Sequence, residues 1–154
     1  MLLAVFSDSH GSQEPLCRAI RTYQPDMVLH LGDYVRDAMA LEKALPGLEV
    51  RYVRGNCDVG SPAPETLCFA LEGVSVFMTH GHLYSVKYTL QSIANAAHFS
   101  GAQLALFGHT HQADYRRMGD VLLLNPGSAG RGEEKTFCLL TLEGGKYAWR
   151  MERL

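Results

Sequence analysis

Seven side chains able to hold a metal ion, Asp8, His10, Asp33, Asn56, His80, His109 and His111, fall in five short glycine-containing loops. The loops read Asp8-Ser9-His10, Gly32-Asp33, Gly55-Asn56, His80-Gly81-His82 and Gly108-His109-Thr110-His111, each just past a short apolar run. Five of the seven histidines in the chain lie in three of these loops. Runs of this kind read as strands, and ends of neighbouring strands lie close together in space, so ligands placed there converge. On extended backbone two residues one apart point the same way, which predicts that Asp8 and His10 share a metal and that His109 and His111 approach a common site.

The donor types suit a particular chemistry. Carboxylate, imidazole and amide carbonyl bind Mn²⁺, Fe, Co²⁺, Ni²⁺ or Zn²⁺, and affinity alone does not choose among them. The two oxygens of Asp33 can bridge two cations, and Asn56 offers an oxygen that cancels none of their charge. Two divalent cations outweigh the carboxylates of Asp8 and Asp33, so the cluster stays attractive to a phosphate anion even with a bridging hydroxide. Metals about 3.5–4 Å apart hold both the attacking and the leaving oxygen of an in-line displacement, and coordinated water reaches a pKa near 7 in favourable zinc sites.

The elements that must position these loops follow from hydrophobic spacing. Leu2–Phe6, Met27–Leu31 and Glu49–Val53 read as strands, the first two of them buried on both faces. Helical spacing predicts helices over Ser12–Tyr23, stopped by Pro25, and over Tyr34–Leu45, stopped by Pro46-Gly47. A third is expected over Ser85–His98, where Val86, Leu90, Ile93, Ala94 and Ala97 recur. Cys57 to Thr66 is too broken by Gly and Pro for regular structure, and Glu72-Gly73 marks a hairpin between Leu67–Leu71 and Val74–Thr79. Leu104–Phe107, Gln112–Met118, Val121–Leu124, Lys135–Leu142 and Lys146–Met151 complete the strands, with Asn125-Pro126-Gly127 as a turn. Strand and helix alternate early and hairpins dominate late, which suggests two packed sheets with helices outside.

With 154 residues, 47% hydrophobic and 19% charged, the chain reads as one globular domain, residues 1–154, able to bury its own core. Its net charge of -2 argues against a broad basic face for long nucleic acid. Cys17, Cys57, Cys68 and Cys138 form no C-x-x-C pair, and the spacing suits reduced thiols of a cytoplasmic protein. The apolar N-terminus is too short and lacks the basic leader of a signal peptide, and no run approaches the roughly 20 apolar residues of a membrane span.

Five ordered motifs from Leu2 to about Ser128 resemble the calcineurin-like metallophosphoesterase superfamily, and within it the small phosphodiesterases of the YfcE type. The resemblance implies an α/β fold, a four-layer α/β/β/α sandwich of two mixed sheets flanked by helices. It implies a binuclear centre, with one metal on Asp8, His10, Asp33 and His111 and the other on Asp33, Asn56, His80 and His109. It also implies a two-metal-dependent phosphodiesterase, with Mn²⁺ the expected metal, in which a metal-bound hydroxide attacks small phosphodiesters. Asn125-Pro126-Gly127-Ser128 resembles a turn that follows the last ligand motif in these small members.

The sequence departs from the phosphomonoesterases and protein phosphatases of that superfamily at one place. They carry G-N-H-D/E, whose His helps protonate the leaving group; here the motif is Gly55-Asn56-Cys57-Asp58. General-acid help is typically worth 10² to 10⁴-fold, about 3–5 kcal/mol of barrier. Cysteine there favours diesters with good leaving groups, and His82 is the candidate that partly fills the role or binds phosphate beside Asn56. Asp58 is a candidate for catalysis or for stabilising its own turn. Cys57 is either a small residue filling the motif or a thiolate favoured by metal.

His30 and His98 read as structural, and Arg54 and Arg131, which flank site motifs, as solvated arginines. Asp26, Asp37 and Asp114 read as turn or surface charges. Two alternatives stand beside the diesterase: a phosphomonoesterase or phosphoprotein phosphatase, and a protein-binding scaffold like the retromer subunit that shares this fold. No cap or long insertion shapes a specificity pocket, so an open site is expected. The late hairpins offer edge strands that a homo-oligomer would cover.

Overall fold

The computed structural model describes residues 1–154 as two five-stranded sheets packed face to face. The first holds β1 (Leu2–Phe6), β2 (Met27–His30), β3 (Glu49–Tyr52), β9 (Thr136–Glu143) and β10 (Lys146–Arg153) in the order β10-β9-β1-β2-β3. The second holds β4 (Thr66–Leu71), β5 (Val74–Thr79), β6 (Leu104–Leu106), β7 (Ala113–Met118) and β8 (Val121–Pro126) in the order β4-β5-β6-β8-β7. β1, β2 and β3 run parallel, as do β5, β6 and β8, while the remaining strands pair antiparallel at the flanks.

Strand alternation builds the layers. Leu3 and Val5 point between the sheets, where they meet Val76, Met78, Leu104, Leu106, Leu122 and Leu124. Ala4 and Phe6 point the other way, against Leu16, Ala19 and Ile20 of α1 (Gln13–Tyr23) and Ala38 and Leu41 of α2 (Val35–Ala44). On the far side Phe77, Ala105 and Leu123 take the apolar face of α3 (Gln91–Phe99), formed by Ile93, Ala94 and Ala97. The central strands of each sheet are therefore buried on both faces while β7 and β10 at the margins stay largely open, and the expected α/β/β/α order is what the chain adopts.

Most element ends shift by one or two residues from the sequence reading, and two differences bear on the site. The third helix begins at Gln91, not Ser85: His82–Tyr84 form a single 3₁₀ turn, and Ser85 sits at φ 54°. A left-handed residue cannot continue a right-handed helix, and Thr89 then accepts the Gln91 N–H through Oγ1 at 3.2 Å. Asn125 and Pro126 belong to β8, not to a turn, with Pro126 opposite Ala113 at the strand's end.

Parallel strands share a carboxyl edge, and here both sheets present theirs on the same side. Backbone and ring hydrogen bonds knit the loops beyond it: Asp8 N–H to Gly32 O at 3.0 Å, Gly108 N–H to His80 O at 3.0 Å, and His80 Nδ1 to Leu31 O at 2.8 Å. The last of these crosses from one sheet to the other.

Candidate metal centre

Six of the seven candidate ligands meet at this shared edge, and Asn56 stands exposed on the loop beside them. Asp8, His10, Asp33 and His111 offer one ligand atom each, all within 4.8 Å of one another. His80 Nε2 lies 3.5 Å from Asp33 Oδ1 and 3.9 Å from Asp8 Oδ1, and its ring centre is 5.1 Å from that of His109. His111 Nε2 stands 3.1 Å from Asp8 Oδ1, and His10 Nε2 3.9 Å from Asp33 Oδ2. Asn56 is exposed beside Cys57, whose N–H donates to Asp33 Oδ1 at 2.9 Å.

The residues converge by a different backbone route from the one their spacing suggested. Asp8, His10, Asp33, His109 and His111 are not extended; their φ angles are 53°, 46°, 56°, 67° and 61°. Asp and His tolerate the left-handed region better than most side chains, yet each such residue still costs of order 1 kcal/mol and persists only where its surroundings over-determine it. Tight left-handed turns, not strand alternation, aim the side chains inward.

Glycine makes the close approach possible. A Cβ on Gly55 would strike Asp33 Oδ1 and lie 2.6 Å from the Asp33 backbone nitrogen. One on Gly108 would strike Ser7 Oγ and lie 2.8 Å from Asp8 Oδ2. The loops of the two sheets thus touch backbone to carboxylate, with no room for a side chain.

Whether this cluster fits a cation is decided by its own polar atoms. Asp8 Oδ1, both ring nitrogens of His10, His80 Nε2 and His82 Nδ1 are buried without a hydrogen-bond partner. Each such group costs about 1–3 kcal/mol, and native structures hold few of them. His80 is the sharpest case. If its ring is neutral, Nδ1–H donates to Leu31 O, which leaves the Nε2 lone pair facing the oxygens of two aspartates. Acceptors facing acceptors are reconciled by a cation, and one added proton would not serve the other four atoms. Two donors about 2.1 Å from one ion stand roughly 3.0–3.4 Å apart, and the pairs here stand 3.1 to 3.9 Å apart, within a small side-chain adjustment of that range. The residues fit a metal.

The electrostatics agree. Burial, followed by the His80 ring, pushes His109 down to about 4, and burial likewise lowers His10 and His82. Neutral imidazoles are the form that ligates metal. Burial raises the Asp8 carboxyl, but the facing His111 and His80 rings and the Ser7 hydroxyl outweigh it and bring the group below its ordinary range. Asp8 raises His111 in return. Burial and the Asp33 carboxylate push the Cys57 thiol up to about 11, so it is protonated at neutral pH in this setting.

The supporting residues include several that the sequence reading passed over. Asp37 is fully buried, not a surface charge. It accepts Ser9 Oγ–H at 2.6 Å, Gly11 N–H at 2.8 Å and Gln13 Nε2–H at 3.1 Å, and so pins the loop that carries Asp8 and His10. His30 is structural as expected: its Nε2 meets Ser9 Oγ at 3.0 Å, and burial pushes it down to about 4. Ser7 Oγ donates to Asp8 Oδ2 at 2.5 Å. Asn125 Nδ2 donates to Gly108 O at 3.0 Å and to Thr110 Oγ1 at 2.9 Å, fixing the loop of His109 and His111. The signal for Asp37 was distance in sequence: its partners lie more than twenty residues away, where spacing rules do not reach.

Asp58 uses both carboxylate oxygens on backbone donors, Tyr34 and Val35 N–H through Oδ1 and Gly55 N–H through Oδ2. It locks the Asn56 loop against the start of α2. His82 faces the cluster, its ring centre 5.4 Å from His80 and 6.1 Å from His109. Arg54 pairs with Glu65, and His98 is exposed in the last turn of α3. No helix is long and apolar enough to cross a membrane.

The chain is similar to known proteins over most of its length. Residues 1–145 match the calcineurin-like phosphoesterase superfamily domain. The chain is 32% identical over 149 residues to the probable metallophosphoesterase YsnB of Bacillus subtilis, covering 93% of this chain and 85% of YsnB. It is 24% identical over 147 residues to the phosphodiesterase MJ0936 of Methanocaldococcus jannaschii, covering 82% of this chain and 83% of that one. Among solved structures it superimposes on Vps29 of Entamoeba histolytica, complexed with zinc, with a TM-score of 0.82 at 22% identity, covering 100% of this chain and 98% of that one. That likeness is one of fold. The match across nearly all of this sequence, over loops whose Asp and His residues converge as described, places the chain in the calcineurin-like phosphoesterase superfamily.

Proposed function

We propose that the protein is a phosphodiesterase that hydrolyses small phosphodiesters with two divalent cations, Mn²⁺ foremost. Asp8, His10, Asp33 and His111 would hold one, and Asp33, Asn56, His80 and His109 the other. The carrying observation is the group of buried, unpartnered donor atoms around His80, which a proton alone does not satisfy. When bound, the cations supply Lewis acidity toward a phosphoryl oxygen and lower the pKa of water.

The chain's own groups account for the rest. Leu31 O fixes the tautomer of His80, and Ser7 and the His109 N–H hold Asp8 Oδ2, leaving Oδ1 directed at the cluster. Asp58 acts by positioning, since its oxygens are already engaged. His82, kept neutral by burial and by His80, has an Nδ1 free to accept a proton or to hold a phosphoryl oxygen through its protonated form. Cys57 stands where the monoesterase motif has its histidine, and a thiol is a poorer proton donor than an imidazolium near neutrality. Esters whose leaving group departs without a proton are therefore favoured. A relative bearing the name phosphodiesterase supports the same choice.

The test is hydrolysis of bis(p-nitrophenyl) phosphate and of p-nitrophenyl phosphate by metal-stripped protein, with and without added Mn²⁺. Mn²⁺-dependent cleavage that favours the diester is expected. Preference for the monoester would overturn the substrate class while leaving the metals. No cleavage with any of several metals would overturn the enzyme reading in favour of a binding protein.

A further inference from the structure

Beside the metal cluster lies an open hollow of about 570 Å³, within the roughly 300–1,000 Å³ usual for small-molecule sites. His10 forms the wall it shares with the cluster, and Tyr34, Arg36, Met39, Val59 and Arg131 line it further out. A group bound to the cluster on the His10 side has this hollow as its neighbour.

The two arginines of the hollow carry no ion pair, a state shared outside it by Arg21 and by Arg117, which donates instead to the Tyr147 hydroxyl. Arg18, Arg51, Arg54, Arg116, Arg150 and Arg153 each pair with a carboxylate. Arg36 and Arg131 pair with none. The Arg36 guanidinium lies over the Tyr34 ring, 4.4 Å from its centre, and the Tyr34 ring meets His10 edge-on at 5.0 Å. Arg36 is thus held by stacking, with its N–H donors unspent. Arg131 lines the same hollow as His10, and its backbone N–H donates to the Ser128 hydroxyl at 2.8 Å. The only carboxylate in the wall is Asp58, whose oxygens accept three backbone N–H groups. Two guanidiniums with free forks and no competing carboxylate make a place for a phosphate. Met39 and Val59, 45% and 91% exposed, offer apolar surface for the body that carries it.

We infer that this hollow receives one ester arm of the substrate and that Arg36 and Arg131 hold a second phosphate on that arm. The preferred substrate is then a diester with an additional phosphate, as in a nucleotide-type diester, and not a simple dialkyl or diaryl ester. The inference rests on the phosphodiesterase reading and names the substrate class of that site.

The test uses two probes, the p-nitrophenyl ester of thymidine 5′-phosphate and the same ester bearing a 3′-phosphate. With Mn²⁺-loaded protein the added phosphate raises kcat/KM by about tenfold or more, through KM. Arg36→Ala and Arg131→Ala each lose most of that ratio. Arg21→Ala, which removes an unpaired arginine that does not line the hollow, keeps it. Calorimetric binding of thymidine 3′,5′-bisphosphate is measured in parallel, and it weakens about tenfold in the first two variants alone. Equal binding by wild type and both variants would overturn the hollow as a phosphate site, whatever the hydrolysis. The expected binding pattern without hydrolysis of either probe would overturn the esterase reading and leave the site standing.

Discussion

Replacing Asp37 by alanine removes the acceptor for three donors on the loop that presents Asp8 and His10. Ser9 Oγ, Gly11 N and Gln13 Nε2 lie 2.6, 2.8 and 3.1 Å from its oxygens, and both Asp37 and Ser9 are fully buried. Hydrogen bonds to a charged acceptor contribute about 1.5–3 kcal/mol each, and the Ser9 hydroxyl would be left without its acceptor. Against this stands the desolvation of the carboxylate, several kcal/mol, which alanine relieves. The net expectation is a loss of about 3 kcal/mol for Asp37→Ala, the size found when one partner of a buried charged network is deleted. Asp37→Asn keeps an oxygen for Ser9 and Gly11, while the Gln13 amide can turn its own oxygen toward the new NH₂. It should lose only about 1 kcal/mol. Since the anchored loop carries two candidate ligands, Mn²⁺ affinity should fall about 10–100-fold in the alanine variant and recover largely in the asparagine variant. Urea unfolding of metal-free protein gives the first quantity, and calorimetric Mn²⁺ titration the second. An alanine variant within about 0.5 kcal/mol of wild type and with unchanged Mn²⁺ affinity would refute the role given to Asp37.

Other outcomes follow from the same geometry. Gly108→Ala drives a methyl group into Ser7 Oγ and the Asp8 carboxylate, so Mn²⁺ binding should fall by more than tenfold; binding as tight as wild type would contradict the close packing. His30 is driven to about 4 from an ordinary 6.5 by burial, so the folded state favours its neutral form. Its contribution is present above 6.5 and is lost, about 3 kcal/mol in all, as pH falls toward 4. Denaturant unfolding of metal-free protein at several pH values should show that loss, and His30→Asn should flatten it. Burial of His10, His82 and His109 adds in the same direction, whereas His111, raised by Asp8, opposes it. His82→Ala should lower kcat on bis(p-nitrophenyl) phosphate by about tenfold to a hundredfold while leaving Mn²⁺ affinity near wild type; an unchanged rate would remove His82 from the chemistry.

The parts of this protein that could be read from its sequence are those governed by local pattern. Apolar runs followed by glycine gave the strands of the metal-bearing edge, because a strand ending in a ligand loop leaves both its hydrophobic core and its punctuation in contiguous residues. What escaped depends on residues far apart in the chain. Asp37 looks like a solvated charge in the first turn of a helix until Ser9 and Gly11 arrive from another loop. Asn125 looks like a turn residue until β8 brings it under Gly108. The two residues of the D-x-H loop reach one cluster through left-handed turns and not through the extended backbone that their spacing suggests. The third helix was started too early, since Val86 and Leu90 keep helical spacing through a segment whose backbone turns left at Ser85.

Strand order also has a bearing on how the chain acquires its fold during synthesis. β1 is synthesised well before β9, yet one of its two edges is covered by that strand, whose Leu139 and Leu140 pair with Ala4 and Leu3. The candidate ligands are spread likewise: Asp8, His10, Asp33 and Asn56 emerge early, and His109 and His111 only after β6. A nascent chain long enough to finish β3 would hold three of the seven candidate ligands, Asp8, His10 and Asp33, and a sheet with an unpaired hydrophobic strand at its margin. It could neither load its cations fully nor shield that margin from other chains until the last hairpin arrives. Small N-terminal fragments should therefore aggregate where the whole chain stays dispersed, and the step that closes the sheet should precede stable metal loading in time.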